Sequence, residues 1–340
     1  MTASPPPHAR KLAFLGNPRI YPHRPGHVRI IETHFAWVFL AGRYVFKLKK
    51  PARYAGMNYR TLAARERGCR EELRLNRRLA PSLYLDVIPL TSRAGRLCLD
   101  GHGRAVDYLV KMRRLPSAAM LDRMLVRRAL RARDLDPLVG LLAHFYARAP
   151  RAPLPARRYV ARFEAQIRGN LAVLRAFRDR IDWDRVRRIV DMQREFLRRA
   201  RARLGARGAH LVDAHGDLRA EHVCLRPLAV IDCLEFDRQL RRLDPHEDLA
   251  LLALEIEARR PALARAFLRR TAARLGDPIP ACLTHIYMSH RALTRAKLAA
   301  WHLGDPHFPD PAPWLAKTDG WLRSAERHAA QALRLAGESS

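Results

Sequence analysis

A two-lobed α+β protein is predicted for this 340-residue chain: a small antiparallel sheet lobe carrying one helix, then a larger, mainly helical lobe. Three observations predict it. Strand-like runs with period-two alternation crowd into residues 28–115. A single long helical pattern interrupts them, and beyond Pro116 helical periodicity holds almost to the end. The expected divisions are an arm over 1–27, a first lobe over 28–115 and a second over 116–338.

Residues 1–27 are rich in proline and histidine (Pro5-Pro6-Pro7, Tyr21-Pro22-His23-Arg24-Pro25) and read as a tail or loosely packed arm. Strand signals run over 28–31 and 37–40, break at Glu32-Thr33-His34, and turn through Ala41-Gly42-Arg43 into a third strand over 44–49. Alternation in that strand sets Val45, Lys47 and Lys49 on one face and Phe46 and Leu48 on the other. Residues 59–79 switch to helical spacing, with Cys69, Leu73, Asn76 and Leu79 on one stripe and Pro81 as the stop. Further strands are expected over 85–90, 97–99 and 105–112. Helices are expected over 118–125, 136–149, 158–178, 184–204, 243–258, 261–275, 279–303 and 311–335.

One stretch, residues 212–237, departs from this helical run. His215-Gly216-Asp217-Leu218 concentrates an imidazole, a glycine and an acid where an ordinary loop carries Ser, Asn and Pro. Val223-Cys224-Leu225 and Ala229-Val230-Ile231 then read as a hairpin turning near Pro227, which sets His222 opposite Asp232. Asp217, following a glycine in a loop, suits a base or a group that orients a hydroxyl. Asp232, ending an apolar strand, suits a metal ligand. With a strand lysine such as Lys47 these are the parts that phosphoryl transfer asks for: positioned positive charge, a metal and an oriented nucleophile.

The formal net charge of +31 invites a polyanion or nucleic-acid partner. Of the 64 basic residues, however, seven are lysine and 57 arginine, spread over nearly every helix, which is the pattern of solvated helix faces. Against that background lysine is informative: Lys47, Lys49 and Lys50 fall within four residues. Lys47 is the functional candidate, and Lys49 and Lys50 read as surface charges. Five scattered cysteines without a C-x-x-C pair suit reduced thiols in the cytoplasm better than disulfides or a zinc site. No apolar run reaches the roughly 18 residues that would span a bilayer, so no membrane partner is expected.

The order of strand lysine, helix glutamate, His215-Gly216-Asp217-Leu218, hairpin, Ile231-Asp232 and Asp244-Pro245-His246-Glu247-Asp248-Leu249-Ala250 resembles the aminoglycoside phosphotransferase family, within the protein-kinase-like fold. The phrases IETHFAWVFLAGRYVFKLKKP, EELRLNRRLAP and KMRRLP are similar to a branch often fused to a C-terminal P-loop ATPase domain. No G-x-x-x-x-G-K-[ST] occurs in this sequence.

The resemblance implies a cytoplasmic phosphotransferase moving the γ-phosphate of ATP, or another nucleoside triphosphate, to a small-molecule hydroxyl. It implies Lys47 on the phosphates with Glu72 as its helix partner (Glu71 the rival), and adenine pairing along Met112, Arg113 and Leu115. It further implies Asp217 as the catalytic aspartate, Asp232 as the metal aspartate and Asp248 as a buried carboxylate holding the catalytic loop. His215 reads as a buttress of that loop. Residues 32–36 stand in the place of the phosphate-covering loop, without a glycine.

His222 is a departure, because the family usually carries asparagine there. Imidazole suits transition metals better than Mg²⁺. That leaves one Mg²⁺ held chiefly by Asp232, a preference for Mn²⁺, or loss of catalysis. The alternative function is therefore a catalytically inactive kinase-fold protein serving as a nucleotide sensor or a basic nucleic-acid-binding module. Among the acids of residues 232–257, Glu235, Asp237 and Glu247 are candidates to face an acceptor, although a neutral or anionic acceptor suits the overall charge better.

Overall fold

The computed structural model describes residues 7–54, 57–127, 130–305 and 310–338. In chain order the first helix, α1, spans Pro7–Gly16. Strands β1 (Val28–Glu32), β2 (Ala36–Ala41) and β3 (Tyr44–Lys49) follow, then the two-residue pair β4 (Arg53–Tyr54) and β5 (Met57–Asn58) and helix α2 (Leu62–Asn76). Next come β6 (Tyr84–Arg93), β7 (Arg96–Leu99), β8 (Arg104–Arg113) and helices α3 (Leu121–Val126), α4 (Asp136–Arg148), α5 (Ala156–Arg175), α6 (Trp183–Arg199) and α7 (Arg201–Ala206). Strand β9 (Val212–Asp213), the hairpin β10 (Val223–Leu225) and β11 (Leu228–Val230), α8 (Arg238–Arg241) and β12 (Arg242–Leu243) precede α9 (Pro245–Glu257), α10 (Pro261–Leu275), α11 (Ala281–Trp301) and α12 (Ala312–Gly337).

The chain divides into two compact units, the first comprising residues 1–124 and 221–239 and the second residues 125–220 and 240–340. The hairpin β10–β11, distant in sequence, thus belongs with the sheet. In the first unit six antiparallel strands lie in the order β1-β2-β3-β8-β6-β7. Alternation gives this sheet two apolar faces. Phe46, Leu48, Phe39, Ile88 and Leu109 pack on one side with Trp37, Leu15 and Tyr21. Val87, Val110 and Met112 pack on the other with Cys69 and Leu83, joined by Cys224 and Ala229 of the hairpin.

Residues 7–27 are therefore not a loose arm, and the start of the expected arm, residues 1–6, lies outside the described residues. Helix α1 and the short turn after it cover one sheet face, with Leu15 fully buried and the Tyr21 hydroxyl donating to the Leu15 carbonyl at 2.6 Å. The sequence hid this because two prolines precede the helix, a third opens it, and its ten residues are too few to announce a period. Lys11 adds an ion pair to Asp107 at 2.6 Å, and Arg65 of α2 donates to the same carboxylate at 2.7 Å.

The second unit is helical apart from the ribbon β9–β12, in which Arg242 faces Asp213 and Leu243 faces Val212. Helix α9 is its centre: eleven of its thirteen residues are buried, as expected of a helix enclosed on all sides. Asp244 caps it through the N–H of His246 at 3.0 Å. Helices α11 and α12 pack along each other, α12 against α6, and α11 and α10 against α9. The helix expected over 184–204 is two, broken at Ala200 between α6 and α7. No helix among the described residues is long and apolar enough to cross a membrane.

Leu15→Ala should destabilise the first unit by about 2–5 kcal/mol, because it opens a cavity in a fully buried site. Urea unfolding of the two proteins measures the difference; equal midpoints would mean that α1 contributes nothing to the sheet.

Candidate active site

In the first unit the residues that could hold charge converge on the α2-facing side of β3. Lys47 and Lys49 both point there, as strand alternation requires, and both meet Glu72, which is fully buried on α2. The Lys47 ammonium lies 3.0 Å from one Glu72 oxygen and the Lys49 ammonium 2.6 Å from the other. Glu71, the rival, lies on the outer side of the helix and pairs with Arg74 at 2.6 Å.

The hairpin supplies the other acids. Lys47 donates to Asp232 Oδ1 at 2.6 Å, and Lys49 also bonds Glu235, which accepts from the Tyr59 hydroxyl at 2.8 Å. The Lys49 ammonium also sits 5.0 Å above the Tyr59 ring. Lys49 is thus a buried bridge with 2 % of its side chain exposed, not the surface charge expected of it. Lys50 pairs with Glu32 at 2.5 Å beside the Trp37 ring. Strand spacing gives the shared face, since lysines at i and i+2 lie on one side, but not the distant acid that Lys49 is buried against.

The backbone around Asp232 is held by α2 and the sheet. Its N–H donates to the Tyr84 hydroxyl at 3.3 Å, and the next N–H, of Cys233, donates to Asn76 at 2.9 Å. Asn76, one turn after Glu72, is itself anchored to the Glu72 carbonyl at 2.8 Å. Asp232 adopts φ of 62°, a left-handed conformation uncommon outside glycine and found at sites where function dictates geometry.

The hairpin register runs Val223 with Val230 and Leu225 with Leu228, so the turn falls between Arg226 and Pro227. This is half a residue from the expected centre and sets His222 opposite Ile231, whose N–H donates to the His222 carbonyl at 2.9 Å. The side chains still converge, with His222 Nε2 3.6 Å from Asp232 Oδ2. An imidazole nitrogen and a carboxylate oxygen at this spacing can share one divalent ion, and the mixed N/O set favours Mn²⁺ or another transition metal over Mg²⁺.

Electrostatics bind the cluster together. Burial opposes charge on Asp232, although 43 % of its side-chain surface is open, yet Lys47 and then His222 hold its carboxyl well below the usual carboxylate range. Burial likewise opposes charge on Glu235, and Lys49 and Lys47 overcome it, lowering the pKa. On the lysines burial is again the largest influence, but the acids outweigh it together: Asp232, Glu72 and Glu235 raise Lys47, and Glu235 and Glu72 raise Lys49, both well above ordinary lysine.

The other expected groups of this unit are less available. Met112 is buried at the end of β8 opposite Val45. The N–H of Arg113 donates to Leu83 at 2.9 Å and that of Arg114 to Arg43 at 2.9 Å; Leu115 is half-buried. In the turn over residues 32–36 the N–H of Thr33 and of Ala36 bond back within the turn, at 2.8 and 3.0 Å. Neither of these two N–H groups is left to meet a phosphate.

In the second unit the loop at 213–218 is hung from α9. Asp248, fully buried, accepts from the N–H of His215 at 2.9 Å and of Gly216 at 3.0 Å, and from the Tyr146 hydroxyl at 2.9 Å. Gly216 has φ of 91°, where a side chain would be strained. His215 is fully buried and its Nδ1 accepts from the Asp217 N–H at 3.3 Å. Two residues absent from the sequence reading complete the loop: Arg291 donates to the Gly216 carbonyl at 3.1 Å, and Arg295 Nη1 lies 3.9 Å from Asp217 Oδ1. Both are on α11, and one arginine among 57 carries no sequence signal.

Two acids considered for an acceptor are otherwise engaged. Glu235 belongs to the lysine cluster, and Glu247 is buried, bonded by the Tyr159 hydroxyl at 3.2 Å, its pKa raised by burial. Asp237 caps the following turn through the Gln239 N–H at 2.7 Å. Asp244, His246 and Asp277 also approach one another within metal-ligand reach. There Arg207 already bonds both carboxylates, at 2.6 and 3.0 Å to Asp244 and 2.6 and 2.8 Å to Asp277, so a guanidinium neutralises them.

The sheet with its helix, the lysine–glutamate pair, the hairpin aspartate and the carboxylate-hung H-G-D loop define the fold: this chain has the aminoglycoside-phosphotransferase-like, protein-kinase-like two-lobed fold. It is similar over 96 % of its length and 98 % of the other chain to a choline/ethanolamine kinase family protein from Mesorhizobium loti, with a TM-score of 0.53 and 15 % identity. Its likeness to the GDP complex of aminoglycoside 2'-phosphotransferase-IIIa covers 94 % and 98 % of the two chains at 0.53 and 13 %. That to choline kinase from Cryptosporidium parvum covers 92 % and 90 % at 0.51 and 11 %. By sequence it is 36 % identical over 279 residues to uncharacterized proteins of Mycobacterium tuberculosis and Mycobacterium bovis, 80 % of this chain and 54 % of theirs. The chain spans about half the length of these curated relatives, and no family model matches it.

Lys49→Met should cost about 3–5 kcal/mol at neutral pH, because it strips the cation from two buried carboxylates. Glu235, with its pKa depressed from the ordinary 4.5, contributes stability that is present above that value and lost as pH falls through its lower folded value. The gap between wild type and variant should therefore narrow as pH drops below about 4.5. On the alkaline side the raised lysines hold their contribution up to at least ordinary lysine values. Chemical denaturation at several pH values measures both limbs; a gap independent of pH in acid would contradict the pairing.

Proposed function

We propose that the protein is a phosphotransferase that uses ATP, or another nucleoside triphosphate, to phosphorylate a hydroxyl on a small molecule. The observation carrying this reading is the lysine–glutamate pair Lys47–Glu72 joined to Asp232 on a kinase-like frame. The GDP bound by a structural neighbour agrees with a nucleotide in this fold.

On this reading Lys47, steadied by Glu72, meets the nucleotide phosphates as a fixed positive charge. Asp232 and His222 hold the divalent cation, which supplies charge neutralisation for the polyphosphate. Lys49 pairs with Glu72 and Glu235 and holds both in place. With the N–H groups of Arg113 and Arg114 already used, the base falls to Leu115 and the nearby carbonyls.

Asp217 orients the acceptor hydroxyl and receives its proton. The new bond joins that oxygen to the γ-phosphorus, the bond from phosphorus to the bridging oxygen breaks, and the nucleoside diphosphate leaves. His215 and Asp248 hold the loop that presents Asp217.

A second reading, nucleotide binding without catalysis, is favoured by one observation: the N–H groups of Thr33 and Ala36 are used within their own turn. Asp217→Ala separates the two. It should lower acceptor-dependent nucleoside diphosphate release by a factor of about 10² or more while leaving the melting temperature and nucleotide-induced thermal shift near those of wild type. Unchanged release in Asp217→Ala sinks the catalytic assignment; a thermal shift with no release from wild type supports the sensor. His222→Asn should move metal preference from Mn²⁺ toward Mg²⁺, read as the half-saturating metal concentration in the same thermal-shift assay.

A further inference from the structure

The surroundings of Asp217 carry information about the acceptor. Within the second unit, Arg291 and Arg295 stand one turn apart on the same face of α11. Arg291 is used structurally, donating to the carbonyls of Gly216 at 3.1 Å and Glu247 at 3.3 Å. Arg295 lies beyond it, its guanidinium 3.9 Å from the Asp217 carboxylate, with 19 % of its side chain exposed against 31 % for Asp217. Both groups are partly sheltered yet reachable.

The acids of α9 do not balance this charge for a visiting cation. Glu247 is buried under Tyr159, Asp248 holds the loop, Glu255 takes Arg219 at 3.2 Å and the Ala220 N–H at 2.7 Å, and Glu257 takes His328 at 2.8 Å and Arg327 at 3.0 Å. A hydroxyl placed within hydrogen-bonding reach of Asp217, roughly 2.6–3.2 Å, brings its neighbouring substituents within a few ångströms of Arg295. A planar guanidinium there matches a carboxylate or phosphate through paired N–H donors and repels an ammonium group.

We infer that the acceptor is a hydroxyl compound carrying a small oxyanion, carboxylate or phosphate, close to the reacting hydroxyl, and that Arg295 is the residue that selects it. This rests on the phosphotransferase reading above. It sets the chain apart from structural neighbours whose names carry choline, ethanolamine or kanamycin.

The test uses the full chain with ATP or GTP and Mn²⁺ or Mg²⁺, and reads acceptor-dependent nucleoside diphosphate release for glycerate, glycerol phosphate, glycerol, ethanolamine and choline. Release is expected with glycerate or glycerol phosphate, and whichever is preferred separates a carboxylate from a phosphate. Arg295→Ala should raise KM for that anionic acceptor by about 10- to 100-fold with a smaller effect on kcat. Arg295→Lys should recover part of the loss. A merely structural arginine would lower stability without changing the ratio of anionic to neutral acceptors.

Preference for choline or ethanolamine, no release with either anionic compound, or an unchanged KM in Arg295→Ala overturns the inference. A nucleotide thermal shift in the same protein shows whether the transfer reading stands apart from it: with the shift and choline turnover, only the anion is wrong. Without any shift, both fall.

Discussion

The first unit depends on one fully buried carboxylate. Glu72 sits on α2 with no exposure, between two ammonium groups of β3. An isolated ionised carboxylate in that position would cost several kcal/mol in lost hydration. Lys47 and Lys49 offset that cost, and they in turn need Asp232 and Glu235 from a hairpin about 185 residues later in the chain. Sheet, helix and hairpin are therefore interlocked by charge as well as by the apolar contacts of Cys69, Val110, Cys224 and Ala229. Removing any one member leaves another buried and unbalanced, which is why the hairpin is part of this unit although its flanking residues belong to the other.

The second unit repeats the device with different chemistry. Asp248 is also fully buried, but two backbone N–H groups and a tyrosine hydroxyl satisfy it in place of lysines. Hydrogen bonds to the ionised form stabilise a buried carboxylate as an opposite charge does. Because the two N–H groups come from His215 and Gly216, the same bonds fix the loop that presents Asp217. Arg291 closes the arrangement from α11 by taking the Gly216 carbonyl.

Much of this was legible from the sequence, for physical reasons that differ by residue. Strand alternation gave the shared face of Lys47 and Lys49 and the opposite face of Phe46 and Leu48, because a period of two is fixed by backbone geometry. Helix α10 lies at its expected bounds because proline starts it and Gly276 ends it in the left-handed conformation. Burial, in contrast, is a property of what arrives from elsewhere. Lys49 looked like a surface charge because nothing local announces Glu235, 186 residues on. Helix α1 looked like a tail because its partner face belongs to the sheet. Arginine was read as solvated coverage, yet Arg65, Arg207 and Arg241 are buried, each clamped on an aspartate. In a chain where arginine is the default residue, those three, like Arg295, carry no mark that separates them from the surface majority.

The charge balance of the lysine cluster explains why a cation and a polyphosphate would act on it together. Two lysines face three acids, Glu72, Asp232 and Glu235, so acidic side chains outnumber ammonium groups in the cluster. A nucleoside triphosphate approaching that group meets a net repulsion, and Lys47 is already engaged by Asp232 at 2.6 Å. On the phosphotransferase reading a divalent ion held by Asp232 and His222 would offset that acidic surplus and weaken the hold of Asp232 on Lys47. Both changes favour the polyphosphate, so under the phosphotransferase reading metal and nucleotide bind with positive coupling, each tightening the other by the same factor. The ion pair that stabilises the unit at rest is then the contact that must yield when it works.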